Sequence, residues 1–296
     1  MINASKTKLR QNSSDIAMNA LLYIILIIIS LIMLLPFINI IASSFASPAD
    51  IASSPFLLFP KRPTLNAYRY IFSTPTTIRS LGVSIMVTVC GVCISMTLTC
   101  ITAYALSRKK LPGRKTFLFL VTLTMLLNPG MIANYLTFRA YGLLNSYAAL
   151  LLPRAINVFY LLLLKNFFQN VPEEIQEAAV IDGCGTMKVF LRIVLPLSLS
   201  SLATFTLFYA VDNWNAFFDA LLYISDPEKY PITIIMRQVV LMASGVGGAE
   251  AASEMAVSSS SVRMATIAIA VLPILVSYPA LQKYFRSGLM AGSLKG

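Results

Sequence analysis

PEEIQEAAVIDGCGTMKVFLRIVLP, residues 172–196, is a compact charged stretch between two long apolar ones. It holds four acidic residues and two bases, and its acidic residues are concentrated near its start, where they complement a helix dipole. Gly183 suits the left-handed conformation that caps the end of a helix. The stretch therefore predicts a helix over residues 172–182, a glycine cap, and a second helix over residues 186–194.

The composition around this stretch is that of a membrane protein. Hydrophobic residues make up 57% of the chain and charged residues 12%, whereas soluble domains carry about 25% charged residues. The mean hydropathy is +0.76. A spanning helix needs about 20 mostly apolar residues. We predict an all-α membrane protein with six transmembrane helices over residues 17–42, 80–107, 116–138, 146–164, 197–224 and 264–284.

Basic residues set the predicted orientation. Five bases and no acid lie in the short loop Arg108–Lys115, and both chain ends are basic, so these regions are predicted to face the cytoplasm. The apolar core of the first segment exceeds the 7–15 residues or so of a signal peptide, which favours a retained anchor. The predicted divisions are a cytoplasmic tail 1–16, an extracytoplasmic loop 43–79, a transmembrane core 80–285 containing a cytoplasmic loop 169–196, and a cytoplasmic tail 286–296.

The chain lacks the residues that several classes of function require. The net charge of +11 comes from short patches beside apolar segments, unlike the continuous basic face of a nucleic-acid-binding protein. The four cysteines lack a metal-binding context and the chain has no histidine, so no metal site is expected. No G-x-x-x-x-G-K-[ST] motif is present, so the chain is not expected to bind ATP itself by that route. We expect no bound cofactor.

The charged stretch carries a recognisable spacing. An acid followed by two alanines is separated by three residues from a glycine, then by nine residues from an isoleucine and by one more from a Leu-Pro pair. This spacing resembles the EAA loop of ABC importer permeases. The resemblance implies a cytoplasmic coupling helix that docks into a cleft of a separate ATP-hydrolysing subunit. The matching residues are Glu177, Ala178, Ala179, Gly183, Ile193, Leu195 and Pro196.

The resemblance extends over most of the chain. AYALSRKKLPGR (103–114), GLLNSY (142–147) and YAVDNWNAFFDALLY (209–223) are similar to carbohydrate permeases of the maltose-transporter type, in particular the LplC-like group. It implies a type I ABC importer transmembrane domain in a bacterial cell membrane, surrounded by lipid. The implied partners are a second homologous permease, a dimeric ATPase that hydrolyses ATP with Mg, an extracytoplasmic solute-binding protein and an oligosaccharide. Val83-Ser84 departs from the Asn-Ser that relatives often carry.

The fifth apolar segment holds the most polar intramembrane residues. Asp212, Asn215 and Asp219 fall at i, i+3 and i+7, which predicts one helical face, with Tyr209 near it. Carboxylates within spanning helices usually face the bundle interior or a cavity. These four residues are candidates for a translocation path or gate, and hydrogen bonding between helices is the alternative.

The sequence offers less support for two functions other than that of a permease. An ion-coupled secondary transporter needs ionisable residues deep in the bundle and usually internal repeats, and the chain has few of the first and no clear case of the second. A membrane-embedded enzyme needs a metal cluster or a nucleophile–base set, and neither is evident. The Asn128–Gly130 sequence within the third segment predicts either a simple kink or a discontinuity near a pathway.

The orientation can be tested by labelling single cysteines in a variant without native cysteines. We expect a membrane-impermeant thiol reagent to label Ser53→Cys from outside the cell and to leave Lys110→Cys unlabelled until the membrane is opened. The reverse pattern would overturn the predicted topology.

Overall fold

The computed structural model describes residues 13–54, 56–127, 129–243 and 260–293. Throughout these ranges the regular structure is helical and includes no strand, which confirms the all-α prediction. The helices are α1 (Ser13–Ser44), α2 (Pro48–Ser53), α3 (Asn66–Ser73), α4 (Pro75–Ser107), α5 (Arg114–Leu126), α6 (Gly130–Ala140), α7 (Ala148–Arg154), α8 (Val158–Gln169), α9 (Glu173–Ile181), α10 (Thr186–Leu197), α11 (Leu199–Trp214), α12 (Phe217–Tyr223), α13 (Ile232–Ala243) and α14 (Ser260–Ser293).

The described chain divides into two compact units. One unit contains the described residues up to Tyr70 together with the start of α14 as far as Ala268. The other contains the described residues from Ile71 onward, together with α14 from Ile269. The charged stretch and the polar residues of the fifth segment both belong to the second unit.

Two helices are by themselves long and apolar enough to cross a membrane, namely α1 over Met18–Ser44 and α4. Three pairs qualify if each pair counts as one bent span: α5 with α6, α7 with α8, and α10 with α11. The apolar part described for α14, Ser260–Val276, is shorter. The predicted segments therefore fall on apolar helices, but the third, fourth and fifth are broken. Asn128, at the break in the third segment, lies outside the described residues.

The fifth segment is not the continuous helix that its hydrophobicity predicts. The chain bends by 83° at Ser198, two residues beyond Pro196. Pro196 has no N–H to continue the helical ladder, and a π-helical turn over Phe190–Val194 precedes it. Helix α11 ends at Trp214. Beyond it, the N–H of Phe217 donates to the Asn215 carbonyl at 2.8 Å, and a bond between residues two positions apart belongs to a γ-turn rather than to a helix.

Helix α4 is the centre of the second unit and packs against α8 and α11. Small and hydroxyl side chains occupy its buried side, as is usual where membrane helices approach closely. The Ser84 hydroxyl accepts the backbone N–H of Ile232 at 2.8 Å. Val83, the residue that departs from the relatives' Asn-Ser, is buried in an apolar cluster with Val87 and Leu150. The buried small residues of α4 include Ser80, Ser84, Gly91, Ser95, Thr99 and Ala103.

Helices α4 and α11 approach each other closely at Gly91. A Cβ atom there would lie 2.3 Å from Oδ1 of Asn213, well inside van der Waals contact. Asn213 is buried and cannot swing away freely, because its Nδ2 donates to the Tyr209 carbonyl at 2.8 Å. The helix interface therefore requires glycine at this position.

Gly91→Ala is expected to destabilise the protein by about 1–3 kcal/mol, because the added methyl group forces the two helices apart. Gly82→Ala is the matched control, since it lies in the same helix with nothing within 4 Å of its Cβ position. That control should gain up to about 1 kcal/mol from helix propensity. Thermal unfolding of the purified assembly in detergent measures both variants. Equal thermal unfolding midpoints for Gly91→Ala and Gly82→Ala would contradict the close approach of the two helices.

Candidate functional site

Helix α9 ends in a Schellman motif built on Gly183. The φ angle of Gly183 is +81°, in the left-handed region. Its N–H donates to the Val180 carbonyl at 3.0 Å, and the N–H of Cys184 donates to the Ala179 carbonyl at 2.9 Å. These bonds satisfy carbonyls that a helix end leaves unpaired. No atom lies within 4 Å of a Cβ built at Gly183, so backbone conformation alone selects glycine. The predicted cap is confirmed.

An aromatic cluster fixes the charged loop to the helices beneath it. Tyr104, near the end of α4, stacks on Phe190 of α10 with ring centroids 4.6 Å apart. Phe168 of α8 meets both rings edge-on, at 6.5 Å and 6.3 Å. The Tyr104 hydroxyl also reaches the Thr186 carbonyl at 3.4 Å, and the Arg108 guanidinium carbon lies 4.7 Å from the Tyr104 ring centroid. The loop is therefore packed onto the ends of two spans.

The residues of the EAA pattern divide between the packed side and the outer side of the loop. Ala179 is buried, and the neighbouring Gln176 donates from Nε2 to the Val171 carbonyl at 3.2 Å. Ile193 and Leu195 are half-buried against the aromatic cluster, whereas Glu177, Ala178, Gly183 and Pro196 are exposed. Ile181 is 86% exposed, so the outer side is partly apolar.

Two exposed ion pairs join this helix to the basic loop after α4. The Lys109 ammonium lies 3.1 Å from the Glu173 carboxylate, and the Lys110 ammonium lies 3.6 Å from the Glu177 carboxylate. All four side chains are more than half exposed, and exposed pairs contribute only about 0–1 kcal/mol. The aromatic cluster, rather than these pairs, therefore holds the loop.

A second group of polar residues surrounds the break between α7 and α8. The Ser95 hydroxyl donates to the Arg154 carbonyl at 2.9 Å, and the Asn157 N–H donates to the Tyr209 hydroxyl at 3.0 Å. The Tyr209 hydroxyl also forms a 2.7 Å hydrogen bond with the Thr99 hydroxyl. Side chains of α4 and α11 thus satisfy backbone groups that the break sets free, as a bilayer requires.

Arg154 connects this break to the break in the fifth segment. Its Nε donates to Oδ2 of Asp219 at 2.7 Å, with the two side chains 33% and 16% exposed. Its Nη1 lies 3.5 Å from the backbone carbonyl of Asp212, in the last turn of α11. The Asp212 carboxylate accepts the Tyr160 hydroxyl at 2.9 Å. The carboxylates of both aspartates are therefore matched by fixed donors.

These groups enclose a polar cavity of about 300 Å³. It lies at the meeting point of the two helix breaks, and its wall combines one cation, two carboxylates, a phenol and an amide. This combination suits hydrogen bonding to a hydroxylated molecule more than binding of an apolar one. The lining residues are Pro153, Arg154, Ile156, Asn157, Tyr209, Asp212 and Asp219.

Three of the four residues predicted for the fifth segment line this cavity, but not for the predicted reason. Tyr209 and Asp212 lie on α11, whereas Asp219 lies on the separate helix α12. The prediction of one continuous helical face is wrong, because α11 stops before Asn215. Asn215 is exposed and is not among the residues that line the cavity. The ion pair to Arg154, rather than helical periodicity, holds Asp219 at the cavity.

Arg154 is the residue that reasoning from the sequence missed. It lies in the middle of the predicted fourth span, 146–164, where an arginine needs a partner inside the bundle. Two aspartates in the next apolar segment were the available counter-charges. The presence of a base in one predicted span and of acids in the next was therefore the signal that could have indicated this ion pair.

No group of three metal-ligating side chains occurs within the part of the chain that the structure describes. The carboxylates of the cavity are committed to Arg154 and Tyr160 rather than converging on a common point. The expectation that this chain binds no metal and no nucleotide of its own remains a prediction.

A packed helix–turn–helix loop and a polar cavity between broken spans define a polytopic helical membrane protein organised for transport. The chain belongs to the family of binding-protein-dependent transport system inner membrane components, which matches residues 95–290. This assignment confirms the resemblance to ABC importer permeases and decides against the ion-coupled alternative. Residence in the membrane is thereby established, while the orientation of the termini remains a prediction.

Curated relatives and solved structures agree with the family. The chain is 48% identical over 278 residues to the polygalacturonan/rhamnogalacturonan transport system permease protein YtcP of Bacillus subtilis, covering 93% of this chain and 97% of that one. It is also 48% identical to Protein LplC of the same species, with 90% of each chain covered. These relatives support a transport subunit rather than an enzyme.

A crystal structure of a bacterial ABC transporter involved in the import of the acidic polysaccharide alginate has a chain with the same fold. The TM-score is 0.85 at 30% identity, covering 93% of this chain and 99% of that one. A second structure, of the alginate transporter in complex with an alginate pentasaccharide-bound periplasmic protein, matches with a TM-score of 0.51 at 14% identity. The second likeness concerns the fold alone.

The pairing of Arg154 with Asp219 can be measured with a double-mutant cycle. Arg154→Gln and Asp219→Asn should each lower the thermal stability of the purified complex, because each leaves a half-buried charge without its partner. The double variant should lose less than the sum of the two, with a coupling of roughly 0.5–3 kcal/mol. Strictly additive losses would show that the pair contributes nothing.

Proposed function

We propose that this permease imports an oligosaccharide, forms half of the translocation pathway, and is driven by a separate dimeric ATPase that docks on the loop containing α9 and α10. The observation that carries the proposal is the capped and packed geometry of this loop, with the EAA residues at the family's spacing. ATP and Mg are bound and hydrolysed by the ATPase. This chain performs no covalent chemistry.

The loop has the mechanical properties that force transmission requires. The Schellman cap fixes the angle at Gly183, and the cluster of Tyr104, Phe168 and Phe190 fastens the loop to α4 and α8. Protein interiors packed in this way transmit displacement rather than absorb it. The outer side of the loop, with Glu177, Ala178 and the exposed Ile181, is the surface offered to the ATPase. Ala179, Ile193 and Leu195 support that surface from within, and Pro196 limits the second helix.

Helix α4 connects this loop to the cavity. Thr99 and Tyr104 are five positions apart on α4, about 7.5 Å along the helix axis. Thr99 holds the break beside the cavity through Tyr209, and Tyr104 holds the loop. A displacement of the loop by the ATPase therefore acts on the helix that supports the cavity wall.

The substrate class follows from the relatives and from the cavity. YtcP is named for a polygalacturonan/rhamnogalacturonan transport system, and the structure at 30% identity belongs to a transporter of alginate. Both names refer to polymers of sugar units. A cavity wall of hydroxyl, amide and charged groups can exchange hydrogen bonds with sugar hydroxyls. Tyr209, Asp212 and Asp219 are proposed to line the path or its gate, together with Arg154. Asn215 is not included.

The remaining partners complete the importer. A second homologous permease supplies the other half of the pathway, and an extracytoplasmic solute-binding protein delivers the oligosaccharide. The loop between α8 and α11 then faces the cytoplasm, in agreement with the predicted cytoplasmic termini. Each of these assignments depends on the orientation predicted from the basic residues.

Gly183→Val tests the docking of the ATPase. A β-branched residue at φ +81° is strained by about 1 kcal/mol or more, so the cap and the outer surface of the loop should distort. We expect ATP-driven uptake in proteoliposomes to fall at least severalfold, with ATP hydrolysis uncoupled or the ATPase subunit lost. Glu177→Lys should act in the same direction by reversing a surface charge.

Gly185→Val is the matched control, because its φ of −69° is open to any residue and no atom crowds its Cβ position. It should transport and hydrolyse ATP nearly as the unaltered protein does. Equal activity of both glycine variants would refute the role of the cap, and uptake that continues without ATP would refute the proposed function itself.

A further inference from the structure

The segment that follows α1 folds back onto the end of that helix. The Tyr68 hydroxyl forms a 2.8 Å hydrogen bond with Ser44, and the Tyr68 ring lies 5.0 Å from the ring of Phe45. The Thr64 N–H donates to the Phe45 carbonyl at 2.7 Å. Leu57 is buried against Ala42 and Ala46 in a small apolar cluster. These contacts hold residues 57–68 close to the end of α1.

The length of α1 places its end near the boundary of the membrane. The stretch Met18–Ser44 has 27 residues, and its most apolar 18-residue window has a mean hydropathy of 3.1. At 1.5 Å per residue the stretch extends over about 40 Å. The hydrocarbon core of a bilayer is about 30 Å thick, so the last turns of α1 emerge into the headgroup region. Because residues 57–68 are tied to these turns, they must lie at the same level.

The same segment exposes aromatic and apolar side chains that its small cluster does not cover. Phe59 is 84% exposed, which is unusual for so large an apolar residue. Aromatic residues are enriched at membrane–water interfaces, where the ring reaches the boundary of the acyl chains. The exposed members are Phe56, Leu58, Phe59, Leu65 and Tyr70.

Basic residues lie in the same segment as these apolar ones. Lys61, Arg62 and Arg69 are exposed, and Asp50 is the one acidic residue in the sequence between positions 45 and 70. A segment that combines exposed aromatic rings with an excess of bases is complementary to a surface of anionic lipid headgroups.

We propose that residues 56–70 form an interfacial anchor that rests on the membrane in which α1 is embedded. Phe56 and Phe59 enter the boundary between headgroups and acyl chains, and Lys61, Arg62 and Arg69 contact lipid phosphates. The lipid is favoured over a protein partner because the bonds to Ser44 and Phe45 keep the segment at the bilayer surface. The anchor also explains how a loop predicted to lie outside the cytoplasm tolerates bases.

A fluorescent probe at position 59 tests the anchor. Phe59→Cys is introduced into the full-length chain without Cys90, Cys93, Cys100 and Cys184, and labelled with an environment-sensitive dye. The complex is purified with its co-purifying subunits and placed in lipid nanodiscs containing phosphatidylglycerol. No solute-binding protein is added. Glu228→Cys, whose native side chain is 72% exposed, serves as the water-exposed control.

The anchor predicts that the probe at position 59 is quenched severalfold more strongly than the control by lipids brominated near the headgroup, and is shielded from aqueous iodide. Quenching by iodide equal to that of the control, with no effect of brominated lipid, would overturn the proposal. So would shielding from iodide without lipid quenching, because it would identify a protein as the covering partner.

Removal of the charges tests the second half of the proposal. In the combined variant Lys61→Gln, Arg62→Gln and Arg69→Gln, lipid quenching at position 59 should no longer increase with the fraction of phosphatidylglycerol. The yield of assembled complex checks that this variant folds. Retention of the full lipid dependence would show that the bases do not contact phosphates.

Discussion

Backbone groups released at breaks in the fourth and fifth spans must find hydrogen-bond partners inside the protein, because the bilayer offers none. The structure meets this constraint with a few side chains on α4 and α11. Ser95 satisfies the Arg154 carbonyl, and the Tyr209 hydroxyl satisfies the Asn157 N–H while bonding to Thr99. The polar cavity exists because these breaks exist. Its charges are tolerated because Arg154 and Asp219 compensate each other and Asp212 accepts the Tyr160 hydroxyl.

The same helix that supports the breaks also supports the loop. Helix α4 contributes Ser95 and Thr99 to the hydrogen bonds at the break between α7 and α8, and Tyr104 to the aromatic cluster beneath α9 and α10. Its buried side is built from small residues, and Gly91 lets α11 approach to a distance that no other residue allows. In the proposed importer this helix is the physical route by which movement at the ATPase reaches the substrate path.

The sequence predicted the parts of this structure that depend on local chemistry. Hydrophobicity located the apolar helices, and the left-handed cap at Gly183 followed from glycine's conformational freedom. The features that depend on contacts distant in sequence escaped prediction. Nothing local to residues 213–217 reports that the helix stops at Trp214, since the stretch contains neither glycine nor proline. Arg154 was not predicted because its role depends on an ion pair with Asp219, which lies 65 positions away in the sequence. The closeness of Gly91 to Asn213 likewise has no signature in either segment alone.

The central claim is that ATP-driven movement of the loop changes access to the cavity. Ile156 lines the cavity and is 39% exposed, so a cysteine there reports access directly. In a chain without native cysteines, Ile156→Cys is reacted with a membrane-impermeant thiol reagent in the assembled transporter. The reaction is repeated after trapping the ATPase with ATP and vanadate. The account predicts that the alkylation rate changes severalfold between the two states. An unchanged rate in a transporter that still imports its substrate would contradict it.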